Sequence, residues 1–398
     1  MIQDFFSGQV NLLSKRHELL NTSFNQHFHS LPVNQQKNRA YYARFLDRRA
    51  KNIRSLLRNR NLGRAELFAQ QLINYRLCVQ KMILFEQGPV SVLYHFSAKD
   101  NHICAFINRF CDQIHYPCTY PLVSTQSNQS FYSQPHFNLI YSNVLEGDFL
   151  LASPDLVHEL GHLFFYFYRG EDFFAPFLEH LHHYIQQIKN VRKENFFTHH
   201  FHHLSSRIRG VIPTSPYNFN LLESNWKKRY LEEFACDMFA TYLVGPAFGL
   251  SHLRLLLGDR AGLYVPSMNH PGTHPANEAR MRGILLVLHR LGDHSALGNE
   301  LTRHWDEYKQ KMLRINKRRD RPDEGYNYCY NRQLLEELAQ LVISACQAKK
   351  LIPYYDQPAD DRNNIASVMQ MAWRSFLRDP ANYGQWETNM IQYLKSSL

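Results

Sequence analysis

Ser153-Pro154-Asp155-Leu156-Val157-His158-Glu159-Leu160-Gly161-His162-Leu163-Phe164-Phe165 is the stretch on which the reading of this chain turns. Ser, then Pro, then an acid is a helix-start pattern. Ser153 is expected at the N-cap, Pro154 at the first helical position and Asp155 in the first turn. The helix is expected to run to about Tyr168. His158 and His162 are four apart and so share one face, one turn from each other. That separation suits two imidazoles converging on one Zn²⁺, at about 2.0–2.1 Å each. Glu159 projects beside them and can act as the general base for a metal-activated water. The flanks Leu156-Val157 and Leu163-Phe164-Phe165 are apolar, as a helix buried beneath a cleft requires.

A catalytic zinc needs a third protein ligand. The sequence Glu232-Glu233-Phe234-Ala235-Cys236-Asp237 lies on a second expected helix, roughly Trp226 to Leu243, ending before Gly245-Pro246. Glu233 and Asp237 are four apart on one face. Glu233 can ligate, while Asp237 can accept a hydrogen bond from the free ring nitrogen of a ligand His. Glu232 competes for the ligand role. Taken alone, this segment reads as an ordinary acidic helix face; the His-Glu-x-x-His helix upstream is what changes its meaning.

The two segments together resemble the gluzincin metallopeptidases, which carry H-E-x-x-H on one helix and E-x-x-x-D on a later one. The run from Glu233 through Phe239-Ala240, Leu243 and Pro246 is similar to the ligand helix of soluble ImmA/IrrE-type peptidases. That register favours Glu233 over Glu232. In that family a small Ala often stands where this chain has Cys236. A third segment, Thr273-His274-Pro275-Ala276-Asn277-Glu278-Ala279-Arg280-Met281, resembles the T-H-P-x-x-x-x-R-I segment of the membrane CAAX-protease and heat-shock peptidases. The resemblance implies that His274 lies near the catalytic centre and that Arg280 braces it. His274, or Tyr264, would then stabilise the oxyanion, with His270 also near. The resemblance covers about 135–290, and the 70 residues between His162 and Glu233 imply an insertion.

The 398 residues are 44% hydrophobic and 20% charged, which predicts packed globular structure and excludes a disordered chain. Three regions are expected: a helical, basic segment over 1–100, a zincin-like core over 101–295 with an insertion at about 171–228, and a helical segment over 296–398. No apolar window approaches the roughly 20 residues of a bilayer-spanning helix. No secretory h-region opens the chain, and the seven Cys lack paired spacing, so a reducing compartment, the cytoplasm, is expected. The net charge of +10 is compatible with an anionic partner. Its most basic stretch holds Arg39, Arg44, Arg48, Arg49, Lys51, Arg54, Arg58, Arg60 and Arg64. No zinc finger, Gly-rich phosphate loop or RNA-recognition motif accompanies it, so a solvated face is favoured over a nucleic-acid surface. The His-rich stretches at 180–183 and 199–203 could bind a second metal, but no carboxylate or Cys accompanies the latter at ligand spacing, so a solvated helix or loop is favoured; Cys111-His115-Cys118 has no recognised zinc spacing.

The expected fold is therefore α+β and zincin-like, a small sheet packed on the His158–His162 helix. The expected function is zinc-dependent peptide hydrolysis, with His158, His162 and Glu233 as ligands, Glu159 as base, Asp237 behind a ligand and a peptide or protein as substrate. The alternative is a zincin-fold regulatory or nucleic-acid-associated binding protein without strong catalysis. Phe137 to Ser142 reads as a strand at a sheet edge, with Phe137, Leu139 and Tyr141 on one face, able to align an extended substrate. Residues 86–100 read as a turn and short strand, and 119–134 as a loop.

Overall fold

Ala, Leu, Arg and Gln recur with apolar residues three and four apart along most of the chain, and most of it is helical. The computed structural model describes residues 2–28, 36, 39–58, 65–125, 131–142, 150–201, 218–258, 262–265, 274–315, 322 and 324–397. The chain divides into two compact units, Met1–Cys111 with Cys118–Asp148, and Asp112–Pro117 with Phe149–Ser397. Among the described residues no helix is long and apolar enough to cross a membrane.

The first unit opens with three long helices, α1 (Ile2–Phe28), α2 (Arg39–Arg58) and α3 (Ala65–Phe85). One apolar cluster joins Phe6, Val10 and Leu13 of α1 to Ile53 and Leu56 of α2 and to Cys78 and Met82 of α3. Residues 86–94, expected as turn and strand, are helical. A π-turn, Glu86–Val90, contains Pro89 and leads directly into α4 (Ser91–Tyr94). Pro removes one backbone donor and crowds the preceding turn; widening the helix there absorbs the clash without ending it. Helix α5 (Ala98–Gln113) follows.

The sheet has three short strands, β1 (Leu122–Ser124), β2 (Tyr132–Gln134) and β3 (Leu139–Tyr141), in the order β1-β3-β2. β1 pairs with β3 in parallel and β2 pairs with β3 antiparallel. This corrects the expected edge strand. Leu139 and Tyr141 lie on the central strand, with a neighbour on each side, and all three β3 residues are buried. Phe137 belongs to a 3₁₀ turn, Pro135–Phe137, and not to the strand. With both flanks occupied, β3 has no free ladder to offer a peptide. β1 and β2 themselves fall within the stretch expected to be a loop.

The second unit is helical among its described residues. It holds α6 (Ser153–Phe167), α7 (Ala175–Phe201), α8 (Phe219–Asn225), α9 (Leu231–Val244), α10 (Pro246–Gly258) and α11 (Asn277–Arg290). It continues with α12 (Ala296–Ile315), α13 (Glu324–Cys329), α14 (Arg332–Ala348), α15 (Ile365–Arg378) and α16 (Tyr383–Ser397). α9 is its centre. It packs against α6, α10, α11, α14 and α15, and every residue from Phe234 to Val244 is buried. The helical run into α9 starts at Phe219, earlier than expected, and passes through a π-turn at Trp226–Tyr230. Gly245, at φ +63°, ends α9, and Pro246 opens α10. The positive φ is the conformation that glycine adopts without steric cost.

Candidate metal centre

Helix α6 begins one residue differently from the expected cap. Ala152 is the N-cap, and Ser153, already helical, donates its hydroxyl to the Leu150 carbonyl at 2.7 Å. Asp155 is 5% exposed and accepts from Ser251 at 2.9 Å and Arg254 at 3.4 Å, which fastens the first turn of α6 to α10. A buried carboxylate persists only with such partners.

Gly161 sets how closely α6 meets α9. A Cβ built there would lie 3.1 Å from the Cys236 Cα and 3.2 Å from its Cβ and Sγ. Only a residue without a side chain allows the two helices this approach. The contact brings the face bearing His158 and His162 against the one turn of α9 that carries carboxylates.

His158, Glu159 and His162 offer ligand atoms that all lie within 4.8 Å of one another. His158 and Glu159 are buried, and His162 is half-buried. From α9, Glu233 faces both rings. Its Oε2 is 3.7 Å from His158 Nε2, and its Oε1 is 3.7 Å from His162 Nε2. The opposite ring nitrogens meet other carboxylates of the same helix. His158 Nδ1 lies 2.9 Å from Asp237 Oδ1, and His162 Nδ1 lies 3.1 Å from Glu232 Oε1. An ionised carboxylate only accepts, so each partner favours a ring proton on Nδ1 and leaves Nε2, on the side of Glu233, as the nitrogen that can ligate once it carries no proton. The two glutamates thus divide the roles left open in the sequence: Glu233 lies between the two Nε2 atoms and Glu232 braces one imidazole.

Asp237 is wholly buried and accepts two hydrogen bonds from Arg280 of α11, both at 2.7 Å. Burial opposes its ionisation, but Arg280 and His158 outweigh that and hold the carboxyl well below the usual carboxylate range. Arg280 is 3.9 Å from Glu233, and so is His274, whose side chain is 59% exposed. The third sequence segment therefore reaches the cluster through both of its named residues. Tyr264 packs edge-on against Tyr326 instead, and His270 lies outside the described residues.

Burial by itself would lower His162; the Cys236 sulfur beside the ring, acting as a hydrogen-bond acceptor, and the Glu232 and Glu159 carboxylates oppose this and raise it above the ordinary imidazole value. The groups that favour a proton there also favour a metal cation. Cys236 is a different matter, since burial pushes its thiol up to about 12. It stays protonated near neutral pH and is a poor ligand in that form.

No protein-family model, curated protein or solved structure matches this chain.

Among the described residues, the histidines of the 180–183 stretch do not converge. His180 meets Glu337 at 3.2 Å, His182 meets Glu223 at 3.4 Å and His183 meets Glu179 at 3.9 Å, each a separate pair. The side chains of 199–203 lie outside the described residues. Sequence reasoning left two participants unassigned. One is Glu232 as the brace of His162, for which the adjacent Glu pair was the only signal. The other is His252, fully buried beside this network, which a sequence alone presents as one more histidine in an apolar helix.

Proposed function

We propose that this chain is a zinc-dependent metallopeptidase of zincin type, with His158, His162 and Glu233 as the metal ligands. The observation that carries the reading is the paired separation of 3.7 Å from Glu233 to the two Nε2 atoms. It is too long for a hydrogen bond. It is near the separation of roughly 3.4 Å between two ligands in tetrahedral contact with one zinc. Two imidazoles and one carboxylate are a donor set that suits Zn²⁺ and leaves one position open. The carboxylates beside the two Nδ1 atoms, Glu232 hydrogen-bonded to His162 and Asp237 at 2.9 Å from His158, further support it, because ligand histidines ordinarily give their second nitrogen to a carboxylate or carbonyl.

Bound zinc would supply Lewis-acid polarisation of a peptide carbonyl and a more acidic water. The rest of the chemistry belongs to the protein. Glu159 takes a proton from the attacking water and returns it to the leaving amine. His274, exposed at the rim beside Glu233, donates to the oxygen that gains charge. Arg280 and Asp237 keep His158 oriented and hold one charge state across the working pH range.

The test pairs metal content with turnover. The purified chain should hold one zinc and cleave an unfolded protein substrate. Glu159→Gln should keep the zinc and lose at least about 100-fold in rate, the low end of what a general base contributes. Unchanged turnover in Glu159→Gln, or a chain that takes up no zinc, overturns the proposal.

A further inference from the structure

The positive charge of this chain is unevenly held. The first unit contains 16 Lys and Arg against 8 Asp and Glu, which is about +8 of the total +10. Its longest exposed array of cations is on α2. Arg44, Arg48, Lys51 and Arg58 are exposed and follow one another at four-, three- and seven-residue steps, with Ser55 filling the gap. At 3.6 residues per turn they fall within an arc of about 80° and extend along about 21 Å of helix. Arg54 flanks the row, and Asp47 is the single acid of the helix. Among the described residues none of these five cations makes an ion pair, whereas Arg16 of α1 is paired with Glu86. Arg49, on the inner side, lies over the Phe45 ring instead.

The opposite face of α2 is committed. Tyr42, Leu46, Ile53 and Leu56 are at most 6% exposed, and Ile53 and Leu56 belong to the apolar cluster of α1 and α3. A helix that binds a membrane surface must turn an apolar face to the lipid. α2 has none to spare. What it offers outward is a linear series of cations whose first three members follow at about 6 Å and about 4.5 Å along the axis, a density of one charge every few ångströms, as along a phosphodiester strand.

We propose that the outer face of α2 is a binding surface for the phosphate backbone of a nucleic acid, read by charge and not by sequence. Arg44, Arg48, Lys51 and Arg58 each take one phosphate. No base-reading is involved, because no aromatic side chain stands in the exposed row. This inference is independent of the metal centre and stands or falls without it.

The experiment measures binding of the full chain to a random-sequence DNA duplex and to single-stranded RNA over a salt series. Four phosphate contacts predict a slope of log K against log salt of about −3.6 on the duplex and about −2.8 on the single strand. Replacing all four residues with Ala should weaken binding at least about ten-fold and reduce the slope by about 3.6 on the duplex and about 2.8 on the single strand. A control removes four exposed cations of the second unit, Arg290, Lys311, Arg314 and Lys395, and so has the same net charge; it should bind nearly as the parent does. Circular dichroism verifies that both variants are folded. Equal loss in the two variants would mean that only net charge matters and would overturn the proposal. So would absence of binding by the parent chain, or binding to phosphatidylserine vesicles without binding to either nucleic acid.

Discussion

Glu232 and Glu233 are neighbours in the chain and differ in what they touch. Glu233→Ala should abolish zinc binding, because it removes the group between the two Nε2 atoms. Glu232→Gln should retain zinc with affinity lower by about 10–100-fold, the usual effect of losing a partner behind a ligand. Competition with a chelator of known affinity measures both, and the opposite ranking would exchange their roles. Asp237→Asn reaches beyond the metal. It leaves Arg280 buried without its carboxylate, a loss of about 3–5 kcal/mol in systems where one member of a buried pair is removed. Urea unfolding of the metal-free protein should reveal it; a variant as stable as the parent would show that the pair contributes nothing net. The pair is insensitive to mild acid, since the depressed Asp237 loses its contribution only as pH falls below about 4. His252 behaves oppositely. Burial, with Arg280 near, lowers it to about 3, so the folded state keeps it neutral while the unfolded chain protonates near 6.5. The unfolded state then binds the extra proton, and stability falls as pH drops from about 6.5 toward 3. His252→Gln should flatten the stability curve across that window, and a curve of unchanged slope would remove His252 as its source.

Two helices, α6 and α9, make the centre, and Gly161 fixes their distance. Gly161→Ala introduces a Cβ at 3.1 Å from backbone, which no side-chain rotation relieves. The helices must separate by a few tenths of an ångström, and overpacking of this kind costs about 1–3 kcal/mol. Since the proposed ligands lie on both helices, zinc affinity should fall with stability. Cys236→Ala, which removes only the Sγ, should leave zinc bound, as equilibrium dialysis would show. Loss of zinc in Cys236→Ala would make the thiol a participant. At this scale the sequence was legible wherever a pattern is local. The i, i+4 pair of His158 and His162, the Pro154 start, and the Gly245-Pro246 stop all lie within one or two turns. It was illegible where partners come from afar. β1 and β2 are three residues each in polar surroundings, and nothing local to β3 says that it has a neighbour on both sides. The π-turn at Pro89 was misread because proline normally ends a helix, and a widened turn leaves no mark in composition. The two hydrogen bonds from Arg280 to Asp237 join residues 43 positions apart, and only the resemblance of the Thr273–Met281 segment hinted at a bracing role.

For the molecule as a whole, composition predicted an ordered, mostly apolar-cored chain but gave its charge as one sum. The folded chain assigns most of that sum to the first unit and the candidate metal-ligating groups to the second. Within the folded chain α12, α14 and α15 belong to the same compact unit as α6 and α9. Ligand binding to the folded state alone stabilises it by mass action, about 2.7 kcal/mol at a hundred times the dissociation constant. Addition of zinc to the stripped protein should therefore raise the melting temperature, and Glu233→Ala should be unresponsive. The distribution of donors says where that gain would be felt. Both imidazoles ride on α6 with Glu159, and the three carboxylates that meet them from another helix, Glu232, Glu233 and Asp237, all ride on α9. An ion held between them acts as a clasp across a single helix pair. Deuterium uptake at backbone amides should therefore slow in α6 and α9 together when zinc is added, from Leu160 to Phe164 and from Cys236 to Thr241, with little change in α16. Slowing confined to one helix of the pair would mean that the ion sits on that helix alone.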